Sequence, residues 1–203
     1  MERLHREEPG FLPEVTTGDC PAREEALALL HEWIENPALR RHCRCVEVAM
    51  RAYARKLGGD EARWGLAGLI HDFDWERHPS AELHPMAGVA ILREKGWPDD
   101  ICRAVLGHAT YSGVPRDTAM ARALFACDEL CGFLVACSLV LPDRSLGGVE
   151  VAAVKKKLKR ADFARNVNRD DIVNGAAELG EDLDAHMVFV LDALKAEREV
   201  LVS

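Results

Sequence analysis

The chain of 203 residues lacks an uncharged apolar run of the roughly 18 residues that a membrane-spanning helix needs. Its longest apolar stretch, residues 119–141, contains Arg122, Asp128 and Glu129, so we expect a buried core helix there. The first ten residues are highly charged and have no apolar segment, which is unlike a secretory signal. These absences predict a soluble, cytoplasmic protein that has no membrane partner.

Positive charge is also in short supply. The 26 Lys and Arg residues face 34 Asp and Glu residues, which gives a formal net charge of −8. This balance argues against binding to extended nucleic acid. The one concentrated basic block runs from Lys155 to Arg160, and we predict a solvated helix face there. Attraction of phosphate near an active site is the alternative for this block.

No CxxC pair occurs among the seven cysteines, so a structural zinc site of the usual spacing is not expected. Their odd number, in a chain of this size without an export signal, predicts reduced thiols rather than a disulfide framework. Cys127 and Cys131 lie four residues apart in the apolar stretch, where we expect them to fill the core as small buried side chains.

Strand-like alternation is hard to find anywhere, whereas apolar residues recur at helical spacing from Pro21 onward. Pro21 and Pro98 stand where helices should begin, Asp60 can cap another, and Gly58 and Gly96 mark two helix ends. We therefore predict an all-α fold, with residues 1–20 as a flexible arm and residues 21–203 as one domain. Within it, a core of about residues 38–140 is followed by C-terminal helices at 149–203.

The adjacent pair His71 and Asp72 stands at the end of an apolar helix, LAGLIHD. Burying such a pair is unfavourable unless the carboxylate is paired or bound to a cation. Asp128 poses the same problem, because the segment around it is otherwise almost wholly apolar. A divalent cation would satisfy both positions, although Asp128 could instead pair with Arg122.

Three further histidines, His42, His84 and His108, lie on other helical segments or adjoining turns. A single histidine is more often a surface or hydrogen-bonded core residue than a metal ligand. The ordered set of six side chains is what favours a metal site. Imidazoles and carboxylates together suit Mn²⁺, Fe²⁺, Co²⁺, Ni²⁺ or Zn²⁺, whereas Mg²⁺ prefers oxygen ligands alone.

The order His42, His71-Asp72, Asp128 resembles the signature of the HD-domain superfamily of metal-dependent phosphohydrolases. His84 and His108 match the two additional histidines of its dinuclear members. The resemblance implies an all-α helical bundle with one or two divalent metal ions. In a dinuclear arrangement His42, His71 and Asp128 would hold one ion, His84 and His108 the other, and Asp72 would bridge them. If only one ion binds, His84 and His108 would instead support the ligands or contact the substrate.

The same resemblance implies hydrolysis of a nucleotide or other small phosphorylated metabolite by metal-activated water. The chain departs from members that read HDIGK, because it reads HDFDWE and has no lysine after the pair. We therefore do not assign it to the cyclic-dinucleotide subgroup. Some HD-type folds with six such ligands resemble di-iron oxygenases, which is one alternative. A non-catalytic domain that binds a metal or another ligand is a second alternative.

Asp74 and Glu76 follow the pair closely enough to reach a metal-bound water or a leaving group. We predict that Asp72, Asp74 and Glu76 contribute to catalysis, the last two by general acid–base assistance. Asp74 could instead cap the next turn, and Glu76 could form a salt bridge with Arg77 or Lys95. The aromatic residues Trp75 and Tyr111 could line the pocket or stack on a base.

Overall fold

A computed structural model describes residues 18–197 of the chain. Within this range the chain is all-α, with nine α-helices, two short 3₁₀ turns and no strand, which confirms the predicted fold class. The predicted arm at residues 1–20 lies mostly outside the described residues. The helices are α1 (Arg23–Trp33), α2 (Pro37–Leu57), α3 (Glu61–Ile70), α4 (Met86–Glu94), α5 (Asp99–His108), α6 (Ala119–Leu139), α7 (Val151–Leu158), α8 (Arg169–Glu178) and α9 (Leu183–Ala196).

Local sequence signals account for several helix ends. The Asp60 carboxylate accepts a hydrogen bond from the Arg63 backbone N–H at 3.0 Å and so caps α3, as predicted. Gly58 ends α2 with a φ of 77°, a conformation that favours glycine. Pro98 immediately precedes α5, but Pro21 lies two residues before α1, which begins at Arg23. The predicted helix start at Pro21 was therefore slightly early.

The long apolar segment forms α6, and this helix is the centre of the core. It packs against α2, α5 and α8, while α2 runs along α3. Leu124, Leu130 and Phe133 of α6 are fully buried, and each such side chain contributes about 1.5–3 kcal/mol through the hydrophobic effect. None of the helices within residues 18–197 is long and apolar enough to span a bilayer.

The C-terminal helices pack on the same core. His186 of α9 accepts a hydrogen bond from the Tyr53 hydroxyl of α2 at 2.6 Å through Nδ1, and its Nε2–H donates to the Ala126 carbonyl of α6 at 2.9 Å. The basic block lies at the end of α7, where Lys155 pairs with Asp184 at an exposed position. All seven cysteines are free, and six of them are buried.

Candidate metal centre

One group of three candidate ligands comes from three different helical segments. His42 lies on α2, His71 directly follows α3, and Asp128 lies on α6. His42 Nε2 is 3.2 Å from His71 Nε2 and 3.0 Å from Asp128 Oδ1. His71 Nε2 is 3.3 Å from the same Asp128 oxygen. These three ligand atoms are close enough together to hold one metal ion.

A second group consists of Asp72, His84 and His108. The Nε2 atoms of the two histidines lie 3.2 Å apart. Asp72 Oδ1 is 3.2 Å from His84 Nε2 and 3.4 Å from His108 Nε2. This group also meets the spacing that a metal ion requires. The structure thus brings together all six side chains that the sequence singled out as metal ligands.

Asp72 connects the two groups, because its two oxygens face different ways. While Oδ1 faces His84 and His108, Oδ2 lies 3.5 Å from His71 Nε2 and 3.8 Å from His42 Nε2. A carboxylate placed in this manner can contribute one oxygen to each of two neighbouring cations.

Three of the histidines form a hydrogen bond through Nδ1, the ring nitrogen that faces away from the other ligands. The Nδ1–H groups of His71 and His108 donate to the carbonyl oxygens of Gly68 at 2.8 Å and Val105 at 2.5 Å. His84 Nδ1–H donates to Asp74 Oδ1 at 2.8 Å. A proton fixed on Nδ1 leaves a lone pair on Nε2, which is the ordinary arrangement of metal-binding histidines.

These lone pairs lie close together, and a cation between them would satisfy them jointly. Two acceptor nitrogens 3.2 Å apart, as in His84 and His108, repel each other unless a cation or a proton lies between them. Imidazole and carboxylate ligands in this number fit a divalent transition metal. The residues present therefore fit the group that the family resemblance implies.

The pKa shifts of the candidate ligands also indicate that the site favours a positive charge. Burial disfavours the charged form of His71, yet the carboxylates of Asp72 and Asp128 raise its pKa to about 9. Burial likewise opposes protonation of His84, but Asp72 and Asp74 raise its pKa to about 9. Burial would raise the pKa values of Asp72 and Asp128, but the adjacent histidines hold both well below the usual range.

Close packing of α2 on α3 brings the first histidines together. A methyl group on Gly68 would lie 2.8 Å from the Val46 carbonyl oxygen, so only glycine permits this approach of the two helices. Every residue of α3 from Arg63 to Ile70 is buried. The helix therefore ends inside the protein and delivers His71 and Asp72 to the interior.

Asp74 holds one of the candidate ligands in place. Asp74 is 1% exposed, and its Oδ2 accepts from the Gly88 backbone N–H at 3.0 Å while Oδ1 accepts from His84. Both oxygens are therefore engaged in holding His84 and the start of α4. Asp74 thus orients a candidate ligand, and its predicted general acid–base role stays a prediction.

Glu76 contacts the connection between α1 and α2, and its predicted catalytic role stays a prediction. Its Oε2 accepts hydrogen bonds from the backbone N–H groups of Glu35 and Asn36, each at 3.0 Å. Glu76 therefore fastens the connection between α1 and α2. Asp128 contacts His42 and His71, while Arg122 Nε donates to the Arg116 carbonyl at 2.8 Å.

A cavity of about 490 Å³ opens beside the two ligand groups. Trp75 and Tyr111 line it, as the sequence had suggested they could. Seven lining residues were not foreseen from the sequence, and four of them are Glu129, Asn166, Asn168 and Asp171. The last two resemble an ordinary helix start, since Asn168 caps α8 and Asp171 lies in its first turn, so nothing local indicated a second role.

The two acidic residues among these unforeseen lining residues, Glu129 and Asp171, have raised pKa values. Burial, followed by the charge of Asp128, raises the pKa of Glu129 to about 8. Burial also raises the pKa of Asp171, although Arg116 partly offsets the effect. Arg116 itself is held elsewhere, because its Nε and Nη2 donate to the Glu178 carboxylate at 2.7 Å each.

Residues 39–132 match the family model of the HD domain. All six candidate ligands fall within that range, whereas Asn166, Asn168 and Asp171 follow it. No curated protein and no solved structure matched the chain.

Proposed function

The chain is a member of the HD-domain superfamily, and from this premise we propose that it is a metal-dependent phosphohydrolase. Its substrate would be a nucleotide or another small phosphorylated metabolite. The observation that carries the proposal is the pair of three-ligand groups that meet at Asp72. Many members of this family are metal-dependent phosphohydrolases, which supports the same reaction class.

In this proposal His42, His71 and Asp128 would hold one ion and His84 and His108 would hold a second, with Asp72 contributing to both groups. A divalent cation bound there would lower the pKa of water towards neutrality and offset charge on the phosphoryl oxygens. The ligand types favour Mn²⁺, Fe²⁺, Co²⁺, Ni²⁺ or Zn²⁺.

Other residues of the chain would orient the substrate and control protons. Burial and the nearby carboxylates, Asp72 first among them, raise the pKa of the Tyr111 hydroxyl to about 12. Tyr111 therefore keeps its proton at neutral pH and lines the cavity. We assign it the donation of a hydrogen bond from its hydroxyl to an oxygen of the bound substrate.

The test combines metal analysis with a substrate screen. Purified protein is assayed for bound metals, and phosphate release from phosphomonoesters and nucleotides is measured with added Mn²⁺, Co²⁺ or Ni²⁺. We expect activity in the wild type and loss of both metal and activity in Asp72→Ala. Glu94→Ala, which changes an exposed carboxylate on α4, serves as the control and should keep both.

Three results would contradict the proposal. Metal-loaded protein that releases no phosphate from any ester would favour a non-catalytic metal-binding domain. Substrate-dependent uptake of O₂, with no turnover under anaerobic conditions, would favour a di-iron oxygenase. An Asp72→Ala variant with unchanged metal content and activity would show that the two ligand groups do not form the centre.

A further inference from the structure

The loop between α7 and α8, residues 159–168, forms part of the wall of the candidate cavity. Two residues of this loop, Asn166 and Asn168, are among those that line the cavity. Both follow residues 39–132, the part of the chain that matches the family model. Their contribution to the cavity therefore comes from outside the matched region.

The two asparagines differ in how their side chains are engaged. The Asn168 amide oxygen accepts from the backbone N–H groups of Asp170 at 3.1 Å and Asp171 at 3.4 Å. Its NH₂ group donates to Asp171 Oδ2 at 2.7 Å, so this side chain is committed to the start of α8. Asn166, by contrast, is exposed, and its side chain forms no hydrogen bond with another of residues 18–197. The Asn166 amide thus offers one acceptor oxygen and two N–H donors to a ligand in the cavity.

A single arginine fixes the path of this loop. Arg169, the first residue of α8, donates from Nε to the Leu158 carbonyl at 3.1 Å and from Nη1 to the Val167 carbonyl at 3.1 Å. Its Nη2 donates to the carbonyls of Arg160, at 3.0 Å, and Phe163. The guanidinium therefore binds four backbone carbonyls from the two ends and the middle of the loop, which its planar set of donors allows.

Asn166 lies in a tight turn of the same loop. The Val167 N–H donates to the Ala164 carbonyl at 3.1 Å, which closes the turn around Asn166. Ala164 has a φ of 42°, a left-handed conformation that alanine rarely adopts. Such a conformation persists only where surrounding contacts hold it, and the bond from Arg169 to the Val167 carbonyl is one of these contacts.

The rest of the cavity is suited to the organic part of a substrate. Trp75 and Tyr111 line it as large aromatic side chains that remain exposed, and their rings offer apolar faces. A phosphoryl group held at the proposed metal centre would leave the organic part to these residues and to Asn166. A neutral amide can donate to and accept from hydroxyl, amide and ring-nitrogen groups.

Resting on the proposed function, we propose that Asn166 is a specificity-determining residue that hydrogen-bonds to the organic part of the substrate. Arg169 is the positioning residue that holds Asn166 at the cavity. The substrates that this arrangement favours are phosphomonoesters whose organic part carries hydroxyl, amide or ring-nitrogen groups.

The first experiment compares two kinds of probe on metal-loaded protein. Nucleoside monophosphates and sugar phosphates carry such polar groups, whereas the organic part of phenyl phosphate carries none. Asn166→Ala should raise KM for the polar esters by about three- to tenfold, the effect of one lost hydrogen bond, and leave kcat unchanged. Its KM for phenyl phosphate and its metal content should stay at the wild-type values. Arg165→Ala, at an exposed position in the same turn, is the matched control and should change none of these quantities.

The second experiment tests whether Arg169 acts through Asn166. Arg169→Lys keeps the positive charge but loses the planar set of donors, so it should also raise KM for the polar esters at unchanged kcat. In the double variant with Asn166→Ala, KM should rise no further than in Asn166→Ala alone. Arg165→Lys makes the same change at the neighbouring exposed position and should have no effect. Additive effects in the double variant, or an unchanged KM in Arg169→Lys, would overturn the positioning role of Arg169.

The outcomes separate this inference from the proposed function. If phosphoesters are hydrolysed but Asn166→Ala leaves KM for the polar esters unchanged, the inference is wrong and the hydrolase stands. The same conclusion follows if Asn166→Ala raises KM for phenyl phosphate equally. Asn166→Ala removes no hydrogen bond of the described fold, so this test holds even where Arg169→Lys fails to fold. If no phosphoester is hydrolysed at all, the proposed function fails and this inference fails with it.

Discussion

A buried carboxylate, Asp74, fixes which nitrogen of His84 faces the candidate metal centre. It accepts one hydrogen bond from His84 Nδ1–H and another from the Gly88 backbone N–H. An amide in its place has a single oxygen, so one of these donors would face an NH₂ group. We expect Asp74→Asn to weaken metal binding by the Asp72, His84 and His108 group by about 10–100-fold. Competition with a chelator, followed by metal counting, measures this effect.

The other ligand group serves as an internal control for Asp74→Asn. His42, His71 and Asp128 do not depend on Asp74 for a hydrogen bond in the described structure, so their affinity should change little. The expected result is a protein that keeps one ion firmly and loses the other readily. Equal weakening at both groups, or at neither, would rule out the positioning role of Asp74.

Gly88 leaves room for the Asp74 carboxylate, because there is no space for a side chain at position 88. A methyl group there would lie 2.5 Å from the Asp74 carboxyl carbon and 2.8 Å from each of its oxygens. We therefore expect Gly88→Ala to displace Asp74 and to reduce metal content at the same group as Asp74→Asn does. Gly132→Ala is the matched control, since its methyl group would meet His42 Nδ1 at an ordinary 3.8 Å. If Gly88→Ala retains wild-type metal affinity, Asp74 is not needed to hold His84.

Ionisable residues within apolar helices could be recognised from the sequence. Residues whose roles depend on contacts with distant parts of the chain could not. His71, Asp72 and Asp128 stood out because ionisable groups in apolar helices need a partner. The roles of Asp74 and Glu76 depend on Gly88 and on the amides of Glu35 and Asn36, which no local pattern reveals. The helix-start pattern at Asn168 and Asp171 fully explained these residues locally, so their contribution to the cavity stayed hidden.

At the scale of elements, helix ends were more predictable than helix neighbours. Asp60 and Gly58 mark their boundaries through hydrogen bonds and backbone angles that depend on adjacent residues only. The packing of α8 on α6 depends instead on the shape of both surfaces, and it determines where Asn168 and Asp171 lie. A short, polar helix such as α8 gives little indication in sequence of which partner it meets.

At Gly175, helix α8 lies close to the backbone of α6. A methyl group there would lie 2.6 Å from Ala126 Cα, which is backbone and cannot move aside. We expect Gly175→Ala to lower the free energy of unfolding by about 1–3 kcal/mol, as overpacking does, despite the better helix propensity of alanine. Urea unfolding followed by circular dichroism gives the value. Asn174→Ala, at an exposed position in the same helix, should be neutral or slightly stabilising. A Gly175→Ala variant as stable as Asn174→Ala would show that the two helices are not in close contact.

At the scale of the whole molecule, a buried chain of hydrogen bonds connects the C-terminal helix to the helices of the metal centre. Tyr53, His186 and the Ala126 carbonyl belong to α2, α9 and α6 respectively. Tyr53→Phe would remove the donor to His186 Nδ1 and leave a buried acceptor unsatisfied. Such a change lowers the free energy of unfolding by about 1–3 kcal/mol. This contact therefore ties the region that follows the family match to the stability of the entire fold.

The same histidine makes global stability depend on pH. Burial lowers the pKa of His186 below its usual 6.5, so the folded protein keeps it neutral where the unfolded chain would protonate it. The unfolded state then binds more protons, and stability falls as pH drops below about 6.5, by at most about 1.4 kcal/mol per pH unit.

We expect His186→Gln to be less stable at neutral pH but to lose less stability on acidification. Urea unfolding of metal-free protein between about pH 7.5 and pH 5 tests this. Val190→Ala, which opens a cavity under the same helix, should run parallel to the wild type. Because the histidines of the metal centre are common to all three proteins, their own pH dependence cancels in the comparison. Parallel curves for wild type and His186→Gln would show that His186 does not titrate between the folded and unfolded states.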